Sequence, residues 1–139
     1  IYGLPIWAFA GATDSKVMDA QAGAESMFSI VTSLLSRCNL IHDVGYIEYG
    51  NTSCLEMITM ANEFVEMCKS FVRGIPVNEE TLALDAIRRI GTSRTGEIFL
   101  SDTHTFKNFM KAHFLPKLIS RSRYEAWTKA GSMDLYRRC

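Results

Sequence analysis

An apolar run, Ile6 to Phe9, leads through Ala10-Gly-Ala-Thr-Asp-Ser-Lys16 into a segment whose apolar residues recur every three or four positions. No other stretch constrains the chain as much. A continuous apolar run of that length is what a strand buried on both faces looks like. Thr13, Asp14 and Ser15 are all side chains that accept the unpaired N–H bonds of a helix start, and Gly11 gives the backbone room to leave the strand. The helix expected over Val17 to Arg37 turns Ala20, Ala24, Met27, Phe28, Val31, Leu34 and Leu35 toward a sheet, with Asp19, Gln21, Ser26, Ser29 and Ser33 on its other face. In α/β domains such junctions carry chemistry, although a capped helix with no ligand has the same composition.

The same order then repeats. Leu40-Ile-His-Asp-Val44 is a second short apolar run with two polar residues near its end, followed by Gly45-Tyr-Ile-Glu-Tyr-Gly50. Ser53 and Glu56 have the spacing of a capping box, and the helix behind them buries Met57, Ile58, Ala61, Phe64, Val65, Cys68, Phe71 and Val72 before Gly74 stops it. Strand, helix, strand, helix predicts parallel strands under covering helices. Residues 75–139 carry no convincing strand. Asn78 caps a helix through about Ile90, Gly91 to Gly96 is a polar loop, and Glu97-Ile-Phe-Leu100 has no assignable type. Ser101 and Asp102 open a helix that Pro116 interrupts or ends, and Ser122 with Glu125 forms another capping box before a turn that Gly131 stops.

Two parallel strands expose ladder edges and the apolar residues behind them, so the missing strands are expected outside this chain. The start at Ile1 and the closing helices fit the C-terminal portion of a barrel: residues 1–74 as two βα units, 75–139 as a helical extension of the same domain. A fragment of a three-layer sandwich fits less well. Such a piece is expected to associate, with copies of itself as a homo-oligomer or with its missing N-terminal part.

Composition narrows the function. With 15 basic and 15 acidic side chains the formal net charge is zero, which argues against nucleic acid or an anionic membrane as partner. No membrane span and no leader are written, and Cys38, Cys54, Cys68 and Cys139 read as reduced thiols of a cytoplasmic protein. With the three histidines they show neither CxxC nor HxxxH spacing, so no metal site is expected. Asp102-Thr-His104 has the start of an Asp-x-His-x-x-Gly cobalamin motif, but Lys107 stands at the glycine and a helix start explains Asp102 better. Arg88-Arg89 and Lys117 to Arg123 are short basic runs suited to a solvated helix face.

Several blocks together carry a resemblance: Tyr2-Gly-Leu-Pro5, Gly11-Ala-Thr-Asp-Ser-Lys16, Asp19-Ala-Gln-Ala22, Asn39-Leu-Ile-His-Asp-Val-Gly-Tyr46, Glu48, Gly50, Val77-Asn-Glu-Glu-Thr-Leu-Ala-Leu84 and Tyr124-Glu-Ala-Trp127. In this order, over nearly the whole chain, they resemble the C-terminal part of the trimethylamine methyltransferase family. The resemblance implies an α/β fold, a (β/α)8 TIM barrel whose last two βα units fall within residues 1–74. It implies transfer of a methyl group from a methylated or quaternary amine, trimethylamine or glycine betaine in type, to the cob(I)alamin of a separate corrinoid protein, with no cofactor bound by this chain. Some members carry pyrrolysine in the barrel. No such residue is written here, which places the chain nearer the members without it.

That chemistry asks for a pocket that holds a cation in line with its acceptor, and cation–π contacts suit the task. Trp7, Phe9, Tyr46 and Tyr49 are candidates, with ordinary core packing the expectation for Trp7 and Phe9. His42 is the expected catalytic residue, at the exit of an apolar strand where a polar side chain must be hydrogen-bonded. A satisfied structural histidine is its alternative. Thr13, Asp14, Ser15, Asp43 and Tyr46 are the expected substrate-binding residues, the loop from Thr13 to Lys16 offering free N–H groups to a carboxylate or phosphate. Strand alternation sends His42 and Asp43 to opposite sides. A fold kept for binding or scaffolding, with transfer lost, is the other reading of the whole.

Overall fold

The computed structural model describes residues 2–93, 96 and 98–139. Arg94 and Thr95, in the expected polar loop, and Glu97, in the unassigned run behind it, lie outside the described residues, as does Ile1. Mixed strands and helices make this an α/β chain. By internal contacts it forms two units, one of residues Ile1–Val72 with Pro116–Cys139 and one of Arg73–Leu115.

In the first unit, β1 (Trp7–Phe9) and β2 (Leu40–His42) pair in parallel with Trp7 opposite Leu40, Ala8 opposite Ile41 and Phe9 opposite His42. The connection is α1 (Ala20–Leu35), and α2 (Leu55–Val72) follows β2. This is the expected strand–helix–strand–helix order with parallel strands. Between β2 and α2 the chain adds an antiparallel hairpin, β3 (Tyr46–Ile47) and β4 (Thr52–Ser53), that the sequence pattern did not reveal. Two-residue strands are too short for alternation to show. Their link, Glu48–Gly50, puts three successive residues at positive φ (53°, 56° and 90°), of which only the glycine adopts it freely.

The core lies between the helices and one face of the sheet: Ala10, Ala22, Ile30, Ile47, Met57, Met60, Ala61, Phe64 and Cys68 are buried, with Ile41 and Val44 packed against them. The fully buried stripe of α1 is Ala22, Ser26 and Ile30; of the expected face Met27, Val31 and Leu34 do pack against the core, whereas Ala20, Ala24, Phe28 and Leu35 are exposed. Ser26 and Ser29 cause the rotation, because they face the β1–α1 loop and satisfy its main chain. Ser26 Oγ donates to the Gly11 carbonyl and Ser29 Oγ accepts the Gly11 N–H. On α2, Ile58 and Phe71 stay exposed while Met60 and Glu63 are buried. Ser53 does not cap α2, since it belongs to β4 and the helix begins at Leu55. Gly74, at positive φ, follows the helix end as expected.

The C-terminal stretch contains α6 (Tyr124–Lys129) and α7 (Leu135–Arg138), the second not foreseen. Arg123, not Ser122, occupies the N-cap of α6, and no side chain caps it. In the second unit, Asn78 caps α3 (Glu79–Leu82) reciprocally with Thr81. The single helix expected there is broken, because Ala83 at φ 51° separates α3 from α4 (Leu84–Gly91). Asp102 caps α5 (Thr103–Ala112). No described helix is long and apolar enough to cross a membrane.

Glu63 fastens the C-terminal stretch to α2. It is only 6% exposed, and its carboxylate accepts the N–H groups of Lys117, Leu118 and Ile119, each at 2.7 Å. Burial pushes its carboxyl up, but the three N–H bonds and nearby Arg138 outweigh that and hold it below the ordinary glutamate range. The folded chain therefore binds the proton less well than the unfolded one, so the tie is complete above the unfolded value and fails as pH falls through the folded one. Glu63→Gln removes the charge and should weaken the tie by about 1–2 kcal/mol, the gap between charged and neutral hydrogen bonds. Amide hydrogen exchange at 117–119 checks it: faster exchange in the variant is expected, and wild type brought to acid pH should approach the variant.

Candidate functional site

The two strands end side by side, and the loops leaving them are bound together by main-chain hydrogen bonds. Ala10 N–H donates to the His42 carbonyl (3.2 Å), Gly45 N–H to Gly11 (3.1 Å), Thr13 N–H to Tyr46 (3.1 Å), Glu48 N–H to Ser15 (2.9 Å) and Tyr49 N–H to Thr13 (3.3 Å). Gly45 is required for this approach: a Cβ there would lie 2.7 Å from the Ile58 Cα at φ 94°.

Trp7, Phe9 and His42 share the sheet face opposite Ala8 and Ile41, as alternation requires. The His42 ring meets the ring of Trp7 at 5.3 Å and that of Phe9 at 6.0 Å, edge-on in both cases. The expectation of core packing for Trp7 and Phe9 fails within this chain, where they are 69% and 53% exposed. His42 and Asp43 do not part either. Asp43 takes φ 63°, which ends the strand geometry and brings its Oδ2 to 3.1 Å from His42 Nδ1. Asp43 thereby fixes one ring nitrogen and leaves Nε2 directed elsewhere.

Beside this face is a cleft of about 490 Å³ lined in part by Phe9, Thr13, Asp14, Glu25 and Tyr49. Thr13 and Asp14 are thus brought to one place. Ser15 is not, because it is buried and its hydroxyl donates to the Val17 carbonyl and the Asp19 carboxylate. Tyr46 joins the loops through its main chain, in β3. The N-cap of α1 is Asp19, which accepts the Ala22 N–H, so none of Thr13, Asp14 and Ser15 caps the helix.

The residue that sequence reasoning missed is Glu25. Its Oε2 accepts the Thr13 hydroxyl at 2.6 Å and the Asp14 N–H at 2.8 Å, and its Oε1 accepts from Gln21 at 2.9 Å. The Thr13 hydroxyl first, then the Asp14 N–H and Gln21, hold its carboxyl below the usual range. The N–H groups of Thr13, Asp14 and Ser15, expected to be free for an anion, are all spent inside the chain. A carboxylate already stands where the anion was expected. The available signal was a lone acidic side chain after Ala20-Gln-Ala-Gly-Ala24, in the second turn of the helix and able to reach back over the loop.

The side chains of the Asp102-Thr-His104 stretch are engaged within the second unit. Asp102 is committed to the His104 N–H and to Arg89, and His104 Nε2 lies 2.7 Å from the Glu80 carbonyl. No group of three or more His, Cys, Asp or Glu among the described residues could hold a metal ion.

Fold and site define a parallel βαβ element with an aromatic, carboxylate-bearing cleft at its strand ends. The family model described as trimethylamine methyltransferase (MTTB) matches residues 1–139. The chain is 39% identical over 137 residues to trimethylamine methyltransferase MttB of Desulfitobacterium hafniense (strain DSM 10664 / DCB-2), covering 99% of this chain and 27% of that protein. It is 34% identical to trimethylamine methyltransferase MttB1 of Methanosarcina mazei, over 96% of this chain and 26% of that protein. It is likewise 34% identical to a glycine betaine methyltransferase of Desulfitobacterium hafniense (strain Y51), over 92% and 26%. The chain belongs to the trimethylamine methyltransferase family and spans about a quarter of the length of these relatives.

The reassigned cap gives a direct test. Asp19→Ala should lower the thermal midpoint by about 2–5 °C, while Asp14→Ala should leave it nearly unchanged. The Ala22 N–H holds the Asp19 carboxyl low, so its contribution persists above the ordinary aspartate range and disappears as pH falls through the folded value. Thermal melts of both variants at neutral and acid pH check order and sign.

Proposed function

We propose that the chain is the C-terminal portion of a (β/α)8 barrel enzyme that moves a methyl group from a methylated or quaternary amine to the cob(I)alamin of a separate corrinoid protein. The observation that carries this reading is the exposed sheet face, where the His42 ring meets those of Trp7 and Phe9 at the ends of two parallel strands. In a barrel that face is the interior, and the C-terminal strand ends are the mouth where ligands bind. β1–α1 and β2–α2 are then the last two units, with residues 75–139 a helical extension, and the rest of the barrel covers the exposed Trp7, Phe9 and Leu40. The names of the relatives point to the amine as substrate class.

When it docks, the reduced cobalt of the partner supplies the nucleophile. The residues of this chain need only hold the donor. A methyl on quaternary nitrogen already has a leaving group, so rate comes from alignment and from excluding other arrangements. Aromatic faces hold such a cation, which has no N–H to donate. His42 places it: Asp43 holds Nδ1, the rings of Trp7 and Phe9 fix the imidazole plane, and Nε2 remains to meet the donor or a water beside it. A permanent cation at that position would repel the substrate.

His42→Ala in the full-length enzyme should lower methylation of the corrinoid protein on the order of a hundredfold, the effect of about 1 Å of misplacement. The assay compares variant and wild type at equal folded fraction. Near-wild-type turnover would return His42 to a structural role, and a wild type that never methylates the corrinoid protein would favour the scaffold reading.

A further inference from the structure

We propose that Glu25 is the charge partner of the methylated ammonium in the cleft, and that the Lys16 ammonium seated on the Tyr49 ring is the chain's own competitor for that place. The inference rests on the amine-transfer reading and assigns residues within it.

A quaternary ammonium carries a diffuse charge and no hydrogen-bond donor. It is recognised by aromatic faces and by a carboxylate at contact distance, not by directed bonds. The cleft supplies both: Phe9 and Tyr49 bring rings, and Glu25 brings a carboxylate whose position is fixed by Thr13, Asp14 and Gln21. Because those three bonds are made by neutral groups, the negative charge is oriented without being neutralised. No lysine or arginine lines this cleft.

Lys16 shows that the Tyr49 ring accepts a cation. Its Nζ lies 4.7 Å from the ring centroid, within the roughly 6 Å over which cation–π attraction is felt. Its hydrogen bond goes to the carbonyl of Asp14 at 2.9 Å, a neutral acceptor. No carboxylate pins it among the described residues. A methylated ammonium entering beside Tyr49 meets the same ring and a like charge, so Lys16 must swing out or be tolerated at an electrostatic cost. Glu25 and Lys16 therefore act with opposite sign on one ligand.

The test measures binding alone, by calorimetry on the full-length enzyme without the corrinoid protein, using choline and its uncharged isostere 3,3-dimethylbutan-1-ol. Wild type should prefer choline by about tenfold or more. Glu25→Gln keeps acceptors for the loop and should weaken choline about tenfold while leaving the isostere unchanged. Lys16→Met should tighten choline severalfold, and Phe9→Leu should weaken it. Should Glu25→Gln fail to fold, the Lys16 and Phe9 variants decide, since both leave the bonds from Thr13, Asp14 and Gln21 to Glu25 intact. Equal binding of choline and isostere, or of choline to wild type and Glu25→Gln, would overturn the role of Glu25. Weaker choline binding by Lys16→Met would overturn the competition. The expected binding pattern without any methyl transfer would defeat the amine-transfer reading and leave this one standing; transfer that proceeds unchanged in Glu25→Gln would do the reverse.

Discussion

The main-chain bonds that tie the loop after β1 to the loop after β2 are the constraint on which the rest of the first unit depends. Beyond the last paired residues, Phe9 and His42, the chains no longer form a regular ladder, yet five hydrogen bonds continue to hold them together as far as Tyr49. Such bonding demands close approach, and the sequence meets it with glycine. A Cβ on Gly11 would lie 3.1 Å from the Val44 main chain, and one on Gly45 would run into Ile58 of α2. Helix packing and loop geometry are therefore one condition. α2 can settle on the sheet only where Gly45 lets it.

Much of this fold was legible because the information lay in long periodic segments. The parallel order, the two long helices, Asn78 and Asp102 as caps, and Gly74 as a stop all follow from patterns of ten residues or more, or from one side chain satisfying one helix end. What failed was decided by short-range geometry. Three residues in succession at positive φ make the β3–β4 link, and neither Glu48 nor Tyr49 announces it. Ala83 breaks a helix that its own propensity favours. The face of α1 was read only in part, right at Met27, Val31 and Leu34 but rotated, because serine was counted as outward, whereas Ser26 and Ser29 satisfy both main-chain groups of Gly11.

The site was legible by location more than by role. The pattern drew attention to both strand exits, and at one of them the His42 ring meets those of Trp7 and Phe9. Alternation, a rule for continuing strands, was then applied one residue too far. Asp43 has left the strand, and its left-handed backbone turns the carboxylate back to the histidine it was expected to avoid. The N-cap was similarly placed too early, because Thr13, Asp14, Ser15 and Asp19 are all suitable side chains and only the path of the loop selects among them.

That selection also decides the sign of the cleft. Had the helix begun at Ser15, the free N–H groups of its first turn would have faced the strand ends and favoured an anion. Instead the loop continues to Asp19, and a carboxylate in the second turn of the helix reaches back and takes the Asp14 N–H and the Thr13 hydroxyl. The same donors that would have attracted an anion now hold one that belongs to the protein. With those donors spent, an incoming ligand meets the remaining field of a fixed carboxylate beside two aromatic rings, and that combination favours positive charge without N–H groups. A shift of four residues in the helix start thus places the protein's own carboxylate where an anion was expected, with no change in the strands that carry it.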